Sequence, residues 1–257
     1  MTTHTARRVP VHRGPAAWSA ILPGQPAPDV LNGDMTADFA VVGGGFAGLS
    51  AARRLRELNP GAKIVVLEAG RLAEGASGRN SGFMIDLPHE LTSDDYAGGG
   101  DDRAMIALNR SAIGFARAAV EEYGIDRHFF DPAGKINGAA SDTADGLNQS
   151  YARHLAGMDE PSERLDAQAM FELTGSRHYV SGLYTPGTVM LQPAGYIRGL
   201  GQGLRRTGVR VFENSPVLQT TRQGGGWLLT TRQGRVQAGK MILANNGHLE
   251  SFGFAQN

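Results

Sequence analysis

Gly43, Gly45 and Gly48 stand in a G-x-G-x-x-G spacing, and Glu68 follows 25 residues after the first of them. Such a triplet is weak alone, so its setting decides its weight. Asp38-Phe39-Ala40-Val41-Val42 precedes it and predicts a short buried strand. Residues 49–58 predict a helix with Leu49, Ala52, Leu55 and Leu58 on one face and Arg53, Arg54, Arg56 and Glu57 largely outside. Asn59-Pro60-Gly61 stops that helix, and residues 63–68 predict a second buried strand. The result is a βαβ unit. Gly43 permits the sharp turn, Gly45 lets backbone approach a pyrophosphate, and Gly48 lets the helix pack closely on the sheet. The helix N-terminus offers N–H groups and a positive dipole end to phosphates. Glu68 accepts hydrogen bonds from ribose hydroxyls and repels a 2′-phosphate, which disfavours NADP. These residues predict a dinucleotide site without separating FAD from NAD; the competing reading is a purely structural glycine turn.

A second glycine- and serine-rich loop follows, Gly75-Ala76-Ser77-Gly78-Arg79-Asn80-Ser81-Gly82. It reads either as a further ligand loop or as a surface connection, with Arg79 either facing an anion or pairing with an acidic neighbour. The histidines at 4, 12, 89, 128, 154, 178 and 248 show no His-x-His or His-Glu-x-x-His spacing, so no metal site is expected. His89-Glu90, near the second loop, is the one histidine position worth watching. Asp94-Asp95 and Asp101-Asp102 flank Gly98-Gly99-Gly100 and read as a solvated loop. No Ser-His-Asp set is supported by order or spacing.

Lys plus Arg and Asp plus Glu both number 25, so no net field draws the chain to nucleic acid or an anionic membrane. A small neutral or zwitterionic ligand fits that balance. The absence of cysteine excludes disulfides, thiolate metal sites, a catalytic thiol and a cysteinyl-flavin link within the chain, and suits a cytoplasmic location. Arg7 and Arg8 are followed by no apolar signal region, and no apolar run reaches the ~18 residues of a membrane span.

These motifs need a scaffold, and its outline is readable. Residues 1–36, with Pro23, Pro26 and Pro28, predict an N-terminal arm, either pinned by Trp18, Ile21 and Leu22 or left as a tail. Residues 102–123 predict a long amphipathic helix capped by Gly124. Strand is expected over 128–140, two helices broken near Pro161 over 142–174, and strand again over 178–191. Residues 194–206 then predict a helix and 209–212 a strand. Runs at 217–222, 227–231 and 235–237 predict a meander, and 241–244 a return strand ending at Asn245-Asn246-Gly247. The expected fold class is α/β: a doubly wound, Rossmann-like dinucleotide-binding domain from 37–127 and 193–257, with a β-meander and a partial α+β substrate domain at 128–192.

Three stretches together, 42–52, Leu67-Glu68-Ala69-Gly70 and 75–82, resemble the D-amino-acid oxidase superfamily of FAD-dependent oxidoreductases. Gly75-Ala76-Ser77-Gly78-Arg79-Asn80 is most similar to its gamma-glutamylputrescine oxidase branch, alongside glycine oxidase and sarcosine oxidase. The resemblance is sharp over 37–90 and looser over 178–250. It implies bound FAD, with Gly43, Gly45, Phe46, Ala47 and Gly48 at the pyrophosphate and Glu68 and Ala69 at the adenosine ribose. Ala76, Ser77, Arg79, Asn80, Ser81 and Gly82 would run toward the flavin ring, Val217 would meet the adenine, and 244–247, including Asn246 and Gly247, would form a second nucleotide-side turn. The implied reaction is oxidation of the C–N bond of a small amine or amino acid to an imine, with the flavin reoxidised by oxygen or another acceptor. It needs no side-chain nucleophile, and no catalytic base is named. Tyr184, Met190 and Gln192 fall where the family's substrate domain begins to face the flavin, or are sheet packing. The alternatives are a nucleotide-binding subunit without turnover and, further off, an NAD-dependent dehydrogenase. Superfamily members continue well past the strand equivalent to 240–244, so a C-terminal truncation is expected. Either the sequence is a fragment, or the gene is interrupted, or a second polypeptide supplies the remainder.

Overall fold

The computed structural model of the protein describes residues 2–88 and 101–254; His89, Glu90, Asp94, Asp95 and the glycines at 98–100 lie outside the described residues. In chain order the elements begin with β1 (Thr3–Thr5), α1 (Ala17–Ala20), β2 (Gly33–Val42), α2 (Phe46–Leu58), β3 (Ile64–Leu67), β4 (Phe83–Met84), α3 (Asp102–Tyr123), β5 (Phe130–Asp131) and β6 (Lys135–Ala139). They continue with α4 (Asp142–Gly157), β7 (Glu163–Asp166), α5 (Ala167–Thr174), β8 (Ser181–Thr185), β9 (Val189–Leu191), α6 (Pro193–Arg206), β10 (Arg210–Phe212), β11 (Gln219–Gln223), β12 (Gly226–Thr230) and β13 (Gly234–Leu243). The chain divides into two compact units, one of residues 1–81, 119–129 and 192–257, the other of 82–118 and 130–191. Residues 82–118, which the sequence pattern assigns to the first of these, thus belong to the second.

The first unit is built on a seven-stranded sheet in the order β1-β11-β12-β13-β2-β3-β10. Strands β13, β2, β3 and β10 run parallel, and β1, β11, β12 and β13 pair antiparallel. Strand β13 therefore belongs to both halves. Its register with β2 runs from Gly234 opposite Gly33 to Leu243 opposite Val42. The expected third meander strand and return strand are thus one ten-residue strand that passes straight through Gly239. The pairing with β2 holds on both sides of Gly239, at Ala238 and Lys240, and a Cβ on Gly239 would stand 3.1 Å from the Asp38 carbonyl, a close approach that favours glycine.

Ala40, Val41, Val42 and all four residues of β3 are buried, as expected for a parallel strand covered on both faces. Helix α2 lays Leu49 and Ala52 against the sheet, and α6 buries Ile197, Leu200 and Leu204. Each large aliphatic side chain fully buried in this way contributes roughly 1.5–3 kcal/mol. The other face gathers Leu31, Ala40, Leu67, Phe212, Val217, Leu229, Val236 and Phe252 into one cluster. Arg53, expected outside on α2, is instead buried, where Glu122 at 2.7 Å and Glu57 at 3.2 Å neutralise it.

The arm is folded onto this unit rather than left as a tail. Strand β1 pairs with β11 at the sheet edge, Leu31 is buried, and Trp18 Nε1 donates to the Asn80 carbonyl at 2.8 Å. Ile21 stays 71% exposed, so it pins nothing.

The second unit holds two three-stranded sheets, β4-β9-β5 and β6-β8-β7. Helix α4 starts at Ser141, whose hydroxyl accepts from Ala144 N–H, and α5 starts at Asp166 and ends at Gly175 in the left-handed region. Strand β7 lies between them, where the sequence pattern predicts only a break. Tyr184 is in β8 and Met190 in β9. No described helix is long and apolar enough to cross a membrane.

Candidate nucleotide-binding site

The C-terminal ends of β2, β3 and β13 and the loop after β10 surround a cleft of ≈ 320 Å³, the position at which open parallel sheets receive ligands. Its floor is the turn after β2. Gly43 N–H donates to the Leu67 carbonyl at 2.9 Å and Ala244 N–H to the Val42 carbonyl at 2.8 Å, so the three strand ends are tied together. Gly43 has φ +109°, and a Cβ there would lie 2.5 Å from the Ala244 carbonyl oxygen. Only glycine satisfies both conditions. At Gly48 a Cβ would fall 1.9 Å from the Gly43 carbonyl oxygen, so the first turn of α2 rests directly on the glycine turn.

Glu68 is fixed by two backbone donors, Gly44 N–H at 2.7 Å to Oε2 and Gly70 N–H at 2.9 Å to Oε1. An ionised carboxylate has about four acceptor positions, which leaves capacity for ligand hydroxyls. Ser77 Oγ accepts from Phe46 N–H at 3.0 Å, joining the second loop to the start of α2. Phe46 lies beside Tyr196, with ring centroids 6.1 Å apart, and burial pushes the Tyr196 phenol up to about 12. That hydroxyl therefore stays protonated through the neutral range.

Asn245, at the end of β13, lines the cleft with both its side-chain Nδ2 and Oδ1 buried and without a hydrogen-bond partner. A buried amide with four unused hydrogen-bonding positions is costly unless a ligand or water supplies them. Orphaned Asn245, a turn stripped of Cβ atoms and a carboxylate held at a strand end together suit a dinucleotide.

A family profile described as FAD dependent oxidoreductase matches residues 38–255. The chain belongs to this family. Members are FAD dependent. Probable oxidoreductase OrdL of Rhizobium meliloti is 28% identical over 252 residues, 93% of this chain and 56% of that protein. Gamma-glutamylputrescine oxidoreductase of Escherichia coli is 30% identical, covering 86% of this chain and 51% of that protein. Glycine oxidase from Geobacillus kaustophilus shares the fold with a TM-score of 0.70 at 19% identity, over 85% of this chain and 57% of that one. The chain thus spans about half the length of the curated relatives it matches.

Among the residues expected at the cofactor, Gly43, Gly45, Glu68, Ala69, Ala76, Ser77, Val217, Asn246 and Gly247 line this one cleft in the FAD dependent oxidoreductase fold. Phe46, Ala47 and Gly48 lie just behind it in the first turn of α2. Arg79 is outside the lining and spends its guanidinium on the carbonyls of Glu74 and Gly14, both at 2.7 Å. Asn80 donates to the Ser77 carbonyl at 2.9 Å, Ser81 is exposed, and Gly82 belongs to the second unit. Gln192 caps α6 by accepting from Gly195 N–H. The structure adds Arg8, Val9, Pro10, His12 and His248 to the lining. Nothing in the local pattern of residues 8–12 marks them, because they reach the cleft only through the path of the arm.

Proposed function

We propose that the cleft binds FAD and that the protein oxidises the C–N bond of a small amine or amino acid to an imine. The observation that carries this reading is the convergence of the glycine turn, Glu68 and unpartnered Asn245 on one cleft inside the family match. The names of the relatives, among them gamma-glutamylputrescine oxidoreductase and glycine oxidases, support the substrate class. Gly43, Gly44 and Gly45 would present backbone to the diphosphate, Glu68 would accept from the ribose hydroxyls, the Val217 backbone would meet the adenine, and the Asn245 amide would hydrogen-bond to polar atoms of the cofactor. Bound FAD supplies a two-electron acceptor for the hydride leaving the substrate α-carbon. The chain's own part is to bind and orient the cofactor, and Glu68 additionally excludes a 2′-phosphorylated nucleotide by charge.

The test is purification of the protein followed by visible absorbance, then anaerobic mixing with a panel of amines and amino acids. A yellow protein whose absorbance bleaches with one of these substrates is the expected result. A colourless protein that takes up NADH and not FAD would overturn the flavin assignment. Stable flavin that no amine reduces would instead make the chain a nucleotide-binding subunit without turnover.

A further inference from the structure

The N-terminal arm, which lies ahead of the family match at residue 38, crosses the cleft between two anchors. On one side Arg7 N–H donates to the Ser251 carbonyl at 3.0 Å, Arg8 N–H donates to Ser251 Oγ at 2.8 Å, and Ser251 Oγ donates back to the Arg8 carbonyl at 2.9 Å. On the other side Arg79 Nη2 donates to the Gly14 carbonyl at 2.7 Å, and Ala16 is buried. Between these points Arg8, Val9, Pro10 and His12 line the cleft. The His12 ring stands 3.6 Å from where a Cβ on Gly70 would be and 3.8 Å from that on Gly75, beside the Glu68 end.

Charge singles out one residue of this segment. A diphosphate needs cationic or N–H partners, and the described cleft lining holds two arginines, Arg8 and Arg71. Arg71 is committed, to Glu213 at 3.0 Å and to the Pro26 carbonyl at 2.6 Å. The Arg8 guanidinium has no hydrogen bond or ion pair among the described residues.

We infer that residues 8–12 are part of the nucleotide site, with Arg8 pairing to the diphosphate and His12 packing on the adenosine half. The inference rests on the cleft being a nucleotide site. The arm then closes over the ligand as a strap tied at Ser251 and at Arg79, and bound nucleotide holds the strap down.

The experiment compares binding of FAD, ADP and adenosine to the full 257-residue chain and to Arg8→Ala, Arg8→Lys and His12→Ala, by calorimetry or fluorescence. Circular dichroism establishes that each variant keeps its fold. Arg8→Ala is expected to weaken FAD and ADP roughly tenfold and leave adenosine unchanged, with Arg8→Lys recovering most of the loss. His12→Ala is expected to weaken all three. Limited trypsin digestion of the unaltered protein adds a readout that needs no variant: ADP should slow cleavage after Arg7, Arg8 and Arg13. Unaltered protein that binds ADP while the variants bind all three ligands equally well would overturn the strap and leave the cleft reading standing. Cleavage that saturating ADP does not slow would overturn the strap in the same way, and an equal loss of adenosine and ADP in Arg8→Ala would overturn the phosphate role. Failure of the unaltered protein to bind either FAD or ADP would remove both readings together.

Discussion

Two glycine-rich loops line the cleft side by side, and they use glycine for different reasons. In the turn at 43–48 backbone meets backbone: a Cβ on Gly43 or Gly48 would come within 2.5 Å or 1.9 Å of a carbonyl oxygen. In the loop at 75–80 the side chains carry the structure. Ser77 accepts from the start of α2, Arg79 binds the Glu74 and Gly14 carbonyls, and Asn80 binds the Ser77 carbonyl. Gly78 is sterically required, with a Cβ 1.8 Å from the Ala73 carbonyl, but Gly75 meets nothing nearer than His12 at 3.8 Å. A shared richness in glycine therefore conceals a rigid cradle in one loop and a set of fasteners in the other.

The contrast is sharpest at Gly48. Gly48→Ala forces the added methyl into a backbone carbonyl, so it should cost about 3 kcal/mol or more in urea unfolding, and a loss below about 1 kcal/mol would break the distinction. Ser77→Ala should cost about 1 kcal/mol, the usual worth of an acceptor at a helix start, read as a lower urea midpoint at unchanged slope. Arg79→Ala removes two hydrogen bonds at an exposed position and should cost about 0.5 kcal/mol, while trypsin cleavage after Arg13 becomes faster as the arm loses an anchor. Gly75→Ala should lie within about 0.5 kcal/mol of the unaltered protein, because φ there is −79° and the space is open. A large loss at Gly75 would mean that both loops are cradles.

The cradle was legible in the sequence and the fasteners were not. G-x-G-x-x-G between an apolar run and an amphipathic segment carries its own geometry, since each glycine answers a local steric demand. Helix α3 was equally plain, its periodic apolar residues ending at Gly124, which adopts φ +60°. Arg79 reads as a cation in search of an anion because its partners, two backbone carbonyls, leave no trace in residue types. Strand β7, Glu-Arg-Leu-Asp, has neither an apolar run nor clean alternation and is a strand because β8 pairs with it. Gly239 reads as a break for the converse reason: its neighbours in space, not in sequence, keep it extended. The contribution of residues 8–12 to the cleft depends on anchors at Ser251 and Arg79, on the order of 240 and 65 residues further along the chain.

The pairing of β13 with β2 also sets a timetable. Strand β2 lies inside the sheet between β13 and β3, yet its partner β13 is separated from it by about 200 residues. At about 5–20 residues per second, a ribosome needs roughly 10–40 s to deliver that partner after β2 itself has been made. Through that interval β2 and β3 can pair, but one flank of β2 presents open N–H and C=O groups beside buried-type residues such as Ala40 and Val42. The strand that unites the two halves of the sheet is therefore also the one whose late arrival leaves the nascent chain open to mispairing, and chaperone demand during synthesis should concentrate on the stretch between Val42 and Gly234.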